Sequence, residues 1–201
     1  MTLQKKVIWI TGASSGIGEA LAYEFNKKGA HLILSARRIE ELERVKENCQ
    51  DSEESVKILP LDLAETDSMN NKVLEALAHF GHVDMLINNG GISQRSYAVD
   101  TEMSTVRRVM EVNFFGTVAL TKALLPTFIE QKSGHIVVIS SVMGKFGTRY
   151  RSTYAASKHA LHGYFDSLRQ EVYDHNIDVT LVCPGYIKTN VTINALTGSG
   201  E

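Results

Sequence analysis

Tyr154 and Lys158 stand four residues apart in Tyr154-Ala155-Ala156-Ser157-Lys158. On a helix, residues at i and i+4 project side by side from one face, so this spacing sets an ammonium beside a phenol. A solitary tyrosine titrates near ~10, and a neighbouring positive charge favours its ionised form. Such a pair is suited to passing a proton to or from a substrate oxygen. By itself the pattern also describes an ordinary solvent-facing Tyr and Lys; other residues give it weight. Ser141, thirteen residues before Tyr154, follows the apolar run Ile136–Ile139. Its hydroxyl is of the type that steadies an oxygen on which charge develops. Ser140 is the adjacent alternative, and the spacing to Tyr154 favours Ser141. Asn113, in Val112-Asn113-Phe114-Phe115-Gly116, places an amide in an otherwise apolar helix, where a buried polar group must find partners.

A second group of residues is suited to holding phosphate. The apolar run 6–11 is followed by Gly12-Ala13-Ser14-Ser15-Gly16-Ile17-Gly18, then by apolar residues at helical spacing. Strand, glycine turn and helix in that order are the context of dinucleotide binding. Gly12 allows the sharp turn, Gly16 lets backbone approach a pyrophosphate, and Gly18 lets the helix pack against the sheet. The backbone of Ser14, Ser15, Gly16 and Ile17 then turns its free N–H groups, at the positive end of the helix dipole, towards the phosphates. The spacing is G-x-x-x-G-x-G rather than G-x-G-x-x-G, and either can be a purely structural turn. The second strand ends in Leu34-Ser35-Ala36-Arg37-Arg38. No acid stands there to bind a ribose 2′-hydroxyl, whereas the arginine fork suits a phosphate.

These residues require elements to position them. The pattern predicts strands near 7–11, 31–35, 56–60, 84–88, 135–140 and 178–183. Helices are predicted near 16–28, 38–50, 67–80, 103–131 (in one part or two) and 152–174. Strict alternation predicts an α/β fold, a Rossmann-type doubly wound parallel sheet in three α/β/α layers. The runs Ile136-Val-Val-Ile and Val179-Thr-Leu-Val are nearly continuous in apolar residues, as for strands covered on both faces.

Thr11-Gly12-x-x-x-Gly16-Ile17-Gly18, Asn88-Asn89-Gly90-Gly91, Asn113, Ser141, Tyr154/Lys158 and Pro184-Gly185 occur in the order and approximate spacing of the short-chain dehydrogenase/reductase family, which the chain resembles from Lys6 to about Thr189. Pro184 to Asn190 and Asn194 to Thr197 resemble the member 7B-like subgroup of dehydrogenase/reductases. The resemblance implies a nicotinamide-dependent interconversion of a ketone or aldehyde and an alcohol. In it Asn113, Ser141, Tyr154 and Lys158 are the catalytic set: Asn113 bends its helix and holds a water that relays protons to Lys158, and Lys158 also grips the nicotinamide ribose. It further implies that Ala36 replaces the aspartate of NAD-using relatives, so that Arg37 and Arg38 select NADP(H). Asp62 and Leu63 would contact the adenine, with a turn or cap role as the alternative for Asp62. Asn89, Gly90 and Gly91 would pass close to the cofactor; Gly90 departs from the usual alanine. Pro184, Gly185, Ile187 and Thr189 would border the nicotinamide and its carboxamide. Relatives dimerise or tetramerise through the long helices 103–131 and 152–174. They also continue past Thr189 through a substrate loop, a helix and a seventh strand, so the chain reads as C-terminally incomplete relative to the family.

With 201 residues the chain is expected to form one domain. A net charge of −2 gives no reason to expect nucleic-acid binding. The two cysteines, Cys49 and Cys183, are expected to be reduced, and the seven histidines form no metal pattern. Asn190-Val-Thr192 matches a glycosylation sequon expected to be silent. No apolar run is expected to reach membrane-span length, and the early first strand leaves no room for a signal peptide. The expected location is cytoplasmic, or on an endoplasmic-reticulum-type membrane if an N-terminal anchor precedes these residues. Ile92, Val142, Met143, Phe146 and Tyr186 point to a lipophilic substrate. Two other readings are a non-catalytic nucleotide-binding interaction protein of the same fold and an acyl-carrier ketoreductase.

Overall fold

The computed structural model describes residues 3–187 and 195–201. Strands β1 (Val7–Thr11), β2 (His31–Ser35), β3 (Val56–Ile58), β4 (Met85–Asn88), β5 (Gly134–Ile139) and β6 (Ile177–Val182) form one parallel sheet in the order β3-β2-β1-β4-β5-β6. Between them run α1 (Gly16–Lys27), α2 (Ile39–Glu47), the single turn α3 (Ser52–Ser55), α4 (Met69–Phe80), α5 (Met103–Met110), α6 (Gly116–Gln131) and α7 (Ser152–Glu171). The predicted Rossmann-type layering is therefore present, with six strands among the described residues.

Period-2 alternation sends neighbouring side chains of each strand into different layers. Trp9, Ile33 and Leu86 face α6 and α7, where Leu120, Leu124, Phe128, Leu161 and Phe165 complete one core. Ile8, Ile10, Leu32 and Leu34 face α1 and α2 and pack with Ala22, Leu42 and Val45. The indole N–H of Trp9 donates to Ser35 Oγ at 2.8 Å, so the one polar atom of this buried ring is satisfied. The expectation of burial on both faces fails for β6: Ile177 and Val179 are buried, but Asp178 and Thr180 are exposed. The reason is position. β6 is an edge strand whose inner face packs against α7, and no helix among the described residues covers the other.

The predicted 103–131 helix is continuous but interrupted by a π-turn at Glu111–Phe115. Gly116 follows it because α6 presses on the chain after β3. A Cβ there would lie 2.0 Å from the Leu63 carbonyl oxygen. Taken whole, Met103–Gln131 contains an 18-residue window of mean hydropathy 1.4, long and apolar enough for a membrane span by composition. This corrects the expectation that no segment reaches that measure. Much of the apolarity belongs to the core stripe of Leu120, Leu124 and Phe128.

β1 and β4 are adjacent, yet β1 continues towards β2 on one side and β4 towards β5 on the other. The carboxyl ends of these two strands border the crevice at the topological switch point, where open α/β sheets bind ligands.

Candidate active site

The crevice is a cleft of about 580 Å³. Its floor is the glycine turn after β1. Gly12 and Gly16 adopt φ of 63° and 61°, the left-handed region that favours glycine. A Cβ on Gly12 would lie 2.7 Å from Gly90 Cα, and one on Gly18 only 2.3 Å from the Gly12 carbonyl oxygen. Asn89 fixes the turn by donating from Nδ2 to the carbonyls of Thr11 at 3.0 Å and Gly12 at 3.1 Å. Thr11 Oγ1 accepts from the backbone N–H groups of Asn89 and Gly90, each at 3.0 Å. The loops after β1 and β4 are thus knotted together across the switch point. Ser15 precedes α1 without a side-chain cap bond, so the first-turn N–H groups open on the cleft.

At the end beyond β2 and β3, Ala36, Arg37 and Arg38 line the cleft, and Arg38 Nη2 lies 3.3 Å from Ser14 Oγ. Arg44, which was not singled out in the sequence, donates from Nη2 to the Ser14 carbonyl at 3.3 Å while paired with Glu19 at 2.7 Å. Asp62 lines the same end, with Leu63, and its Oδ1 accepts from Ala64 N–H at 3.0 Å. The carboxylate therefore closes a local turn and still faces the cleft.

At the other end α7 and the chain after β5 bring Ser141, Tyr154 and Lys158 onto one wall. Ser141 adopts an extended φ of −167°, and its Oγ accepts from Met143 N–H at 3.1 Å. Burial pushes the Tyr154 phenol up; the Ser141 hydrogen bond and then the Arg151 charge pull it back, and the net direction is upward. Lys158 is buried, which pushes its ammonium down to about 8. Its Nζ lies 5.7 Å from the Tyr154 ring centroid and donates to the Ile139 carbonyl at 2.9 Å. Burial is the largest influence on both groups, raising the phenol and lowering the ammonium. Ser140, the alternative serine, also lines the cleft, but its Oγ is engaged by His162 Nε2 at 3.1 Å, and that histidine is buried.

Asn113 is 1% exposed and sits inside the π-turn, behind the cleft wall rather than on it. Its Oδ1 accepts from Ile92 N–H at 2.8 Å, and its Nδ2 donates to the Ile92 carbonyl at 2.8 Å and to Ser157 Oγ at 3.0 Å. Ser157 in turn donates to the Tyr154 carbonyl at 2.8 Å. Its side chain is therefore a bracket between the loop after β4 and the helix bearing Tyr154. The helix distortion is a π-turn rather than a simple bend. Gly91 keeps this corner open: a Cβ there would lie 3.1 Å from Asn113 Oδ1 and 3.8 Å from Lys158 Nζ.

Pro184, Gly185 and Ile187 line the cleft beyond β6; Thr189 lies outside the described residues, as does the 190–192 sequon. Gly18 also stands behind the wall. Of the apolar residues expected near the substrate, Ile92, Met143 and Tyr186 line the cleft; Val142 and Phe146 do not. Sequence reasoning missed Arg108, Arg151 and Leu196 on the lining, and Ser157 behind it. Leu196 reaches the site because its N–H donates to the Ser93 carbonyl and its carbonyl accepts from Arg95 N–H, both at 2.8 Å. Among the described residues no three His, Cys, Asp or Glu side chains gather as a metal site.

The short chain dehydrogenase family matches residues 6–199 of this chain. A dehydrogenase/reductase SDR family protein 7-like of Drosophila melanogaster is 52% identical over 99% of the chain and 62% of its own length. The human dehydrogenase/reductase SDR family member 7 is 46% identical over 98% and 59%, and member 7B of Rattus norvegicus 46% over 99% and 63%. The chain therefore spans about 60% of the length of the curated relatives it matches. Among solved structures, a short-chain dehydrogenase of Streptomyces avermitilis aligns with TM-score 0.87 at 34% identity, covering 94% of this chain and 68% of that one. A short chain dehydrogenase/reductase of Burkholderia phymatum in complex with NAD aligns with TM-score 0.91 at 25% identity, covering 96% and 70%.

Proposed function

The chain belongs to the short-chain dehydrogenase/reductase family of oxidoreductases, and from that premise we propose that it interconverts a lipophilic ketone or aldehyde with its alcohol using NADP(H). The observation that carries this reading is the meeting of Ser141, Tyr154 and Lys158 on one wall of a cleft whose other end carries the glycine cradle and two arginines. The cradle fits a dinucleotide. Its left-handed glycines and uncapped helix N-terminus leave backbone N–H groups where a pyrophosphate would lie. The solved relative in complex with NAD supports a nicotinamide dinucleotide. Arg38 beside Ser14, and Ala36 where an acid would repel a 2′-phosphate, favour NADP(H). Gly12 to Ile17, Asn89 to Gly91 and Pro184 to Ile187 would hold the cofactor, which when bound supplies or accepts hydride at the substrate carbon.

The protein's own task is the proton and the orientation. Ser141 hydrogen-bonds the substrate oxygen beside the phenol. Tyr154, protonated at neutral pH as a phenol is, gives its proton to that oxygen in reduction and takes it back in oxidation. Lys158 anchors the ribose side of the site. Ile92, Met143, Tyr186 and Leu196 supply apolar contact area for the substrate. Association through α5–α6 and α7 is part of the same proposal.

The test is a screen of purified protein against steroid, retinoid and acyl ketones with NADPH or NADH, with Tyr154→Phe beside it. NADPH consumption with at least one lipophilic ketone is expected, at least tenfold better than with NADH. Tyr154→Phe should lower kcat by ~10²–10⁴-fold, the usual contribution of a general acid, with NADPH affinity nearly unchanged. Equal loss of turnover and cofactor binding would contradict the assignment of Tyr154.

A further inference from the structure

The four residues of the catalytic set leave one neighbour unexplained. Arg151 is the N-cap of α7, and its side chain lines the cleft with Ser141, Tyr154 and Lys158. A cation at this end of a helix opposes the dipole. Burial, and then the charge of Arg95, push its guanidinium down. No carboxylate among the described residues forms an ion pair with it. Its bonds go to neutral acceptors instead: Nη1 donates to Ser93 Oγ at 2.5 Å and to the Gln94 carbonyl at 3.1 Å. Both acceptors lie in the loop after β4, whose residues Ile92 and Ser93 also line the cleft. A guanidinium carries five N–H donors, so the fork has hydrogen-bonding capacity beyond this one nitrogen.

A cation held against dipole, desolvation and a like charge is favoured by an anion that forms beside it, and the reaction itself would form one. Tyr154 stands three residues along, on the adjoining turn of the same helix. We infer that Arg151 is a positioning residue of the reaction, which stabilises the Tyr154 phenolate while its grip on Ser93 and Gln94 holds the loop and the tyrosine in register. The inference rests on the reading of Tyr154 as proton donor. In reduction the Tyr154 O–H bond breaks and its proton passes to the carbonyl oxygen as hydride from the nicotinamide bonds to the carbonyl carbon. The electron pair left on the phenol oxygen is the charge Arg151 meets, and solvent later returns the proton. Lys158, lowered by burial to about 8 and with its Nζ 5.7 Å from the Tyr154 ring, still carries most of its charge at neutral pH, so Arg151 adds to its field rather than replacing it. Besides Arg151, the phenol has Ser141 after β5 as a hydrogen-bond partner and Lys158 beside its ring; Arg95 in the loop after β4 and Tyr186 after β6 act on Arg151 itself, and Arg108 on α5 lines the same cleft. The only carboxylate among the described cleft residues, Asp62, follows β3 at the opposite edge of the sheet.

The experiment is an absorbance titration of the phenolate in the cofactor-free protein, with the Tyr154→Phe curve subtracted, for wild type, Arg151→Gln and Arg151→Lys. Loss of the guanidinium should move the Tyr154 midpoint up by roughly one pH unit, as for removal of a nearby opposite charge. Lysine, which keeps the charge and loses the fork, should leave it within about half a unit of wild type. The midpoints of the pH–rate profiles for ketone reduction and alcohol oxidation should move upward together in Arg151→Gln. An unmoved midpoint in Arg151→Gln overturns the inference, and so does a lysine variant shifted as far as the glutamine one. Retained turnover in Tyr154→Phe is the separate result that would instead remove the reading on which it rests.

Discussion

Lys158 is an ionisable side chain taken almost wholly out of water. Its folded value of about 8 lies below its ordinary 10.5, so the unfolded chain binds the extra proton between those values. A lysine depressed on folding opposes stability fully below about 8 and progressively less as pH rises towards 10.5. The opposing contribution is on the order of 3 kcal/mol. Lys158→Met is therefore expected to raise the melting temperature at pH 7, to flatten the rise in stability across that alkaline window, and to abolish turnover. Denaturant titrations at several pH values would check it; a variant no more stable than wild type at pH 7 would count against buried-charge strain. Tyr154, pushed upward on folding, acts in the opposite sense only above its ordinary value of 10. The identities of Ser141, Tyr154 and Lys158 were legible from spacing. Their protonation was not, because it depends on how deeply three separate elements bury them.

At the level of elements, apolar runs and glycine punctuation announced every strand and the principal helices. The π-turn at Glu111–Phe115 had no local signature. It arises where Asn113 must reach Ile92 and Ser157 at once while Gly116 lets α6 close on Leu63. Arg151 and Leu196 were illegible for the same reason, since each enters the site through contacts with the loop after β4. Two glycines give opposite tests of this packing. Gly116→Ala places a methyl 2.0 Å from a backbone oxygen and should destabilise the protein by about 1–3 kcal/mol. Gly163→Ala, on the exposed side of α7 with no atom within 4 Å of the new carbon, should stabilise it by about 0.5–1 kcal/mol. Melting curves of the pair would decide. Shifts of the same sign would mean that α6 is less tightly seated than described.

For the molecule as a whole, the outer side of α4 and α6 carries a groove of about 590 Å³ lined by Met69, Glu111, Phe115, Val118 and Lys122. Phe115 is 49% exposed there, an apolar side chain that the self-association proposed above, through α5–α6 and α7, would have reason to cover. Sedimentation is expected to show a dimer, and Phe115→Glu should weaken it at least tenfold; a wild-type monomer at micromolar concentration would exclude it. One further consequence concerns biosynthesis. The turn that would cradle the pyrophosphate is written in residues 12 to 18 but braced by an amide 77 and 78 positions downstream of its two acceptors. A nascent polypeptide leaving the ribosome therefore holds the letters of the nucleotide pocket long before it holds the pocket. Arrested chains ending short of Asn89 should not capture a dinucleotide, whereas chains long enough to add α6, α7 and the last two described strands should.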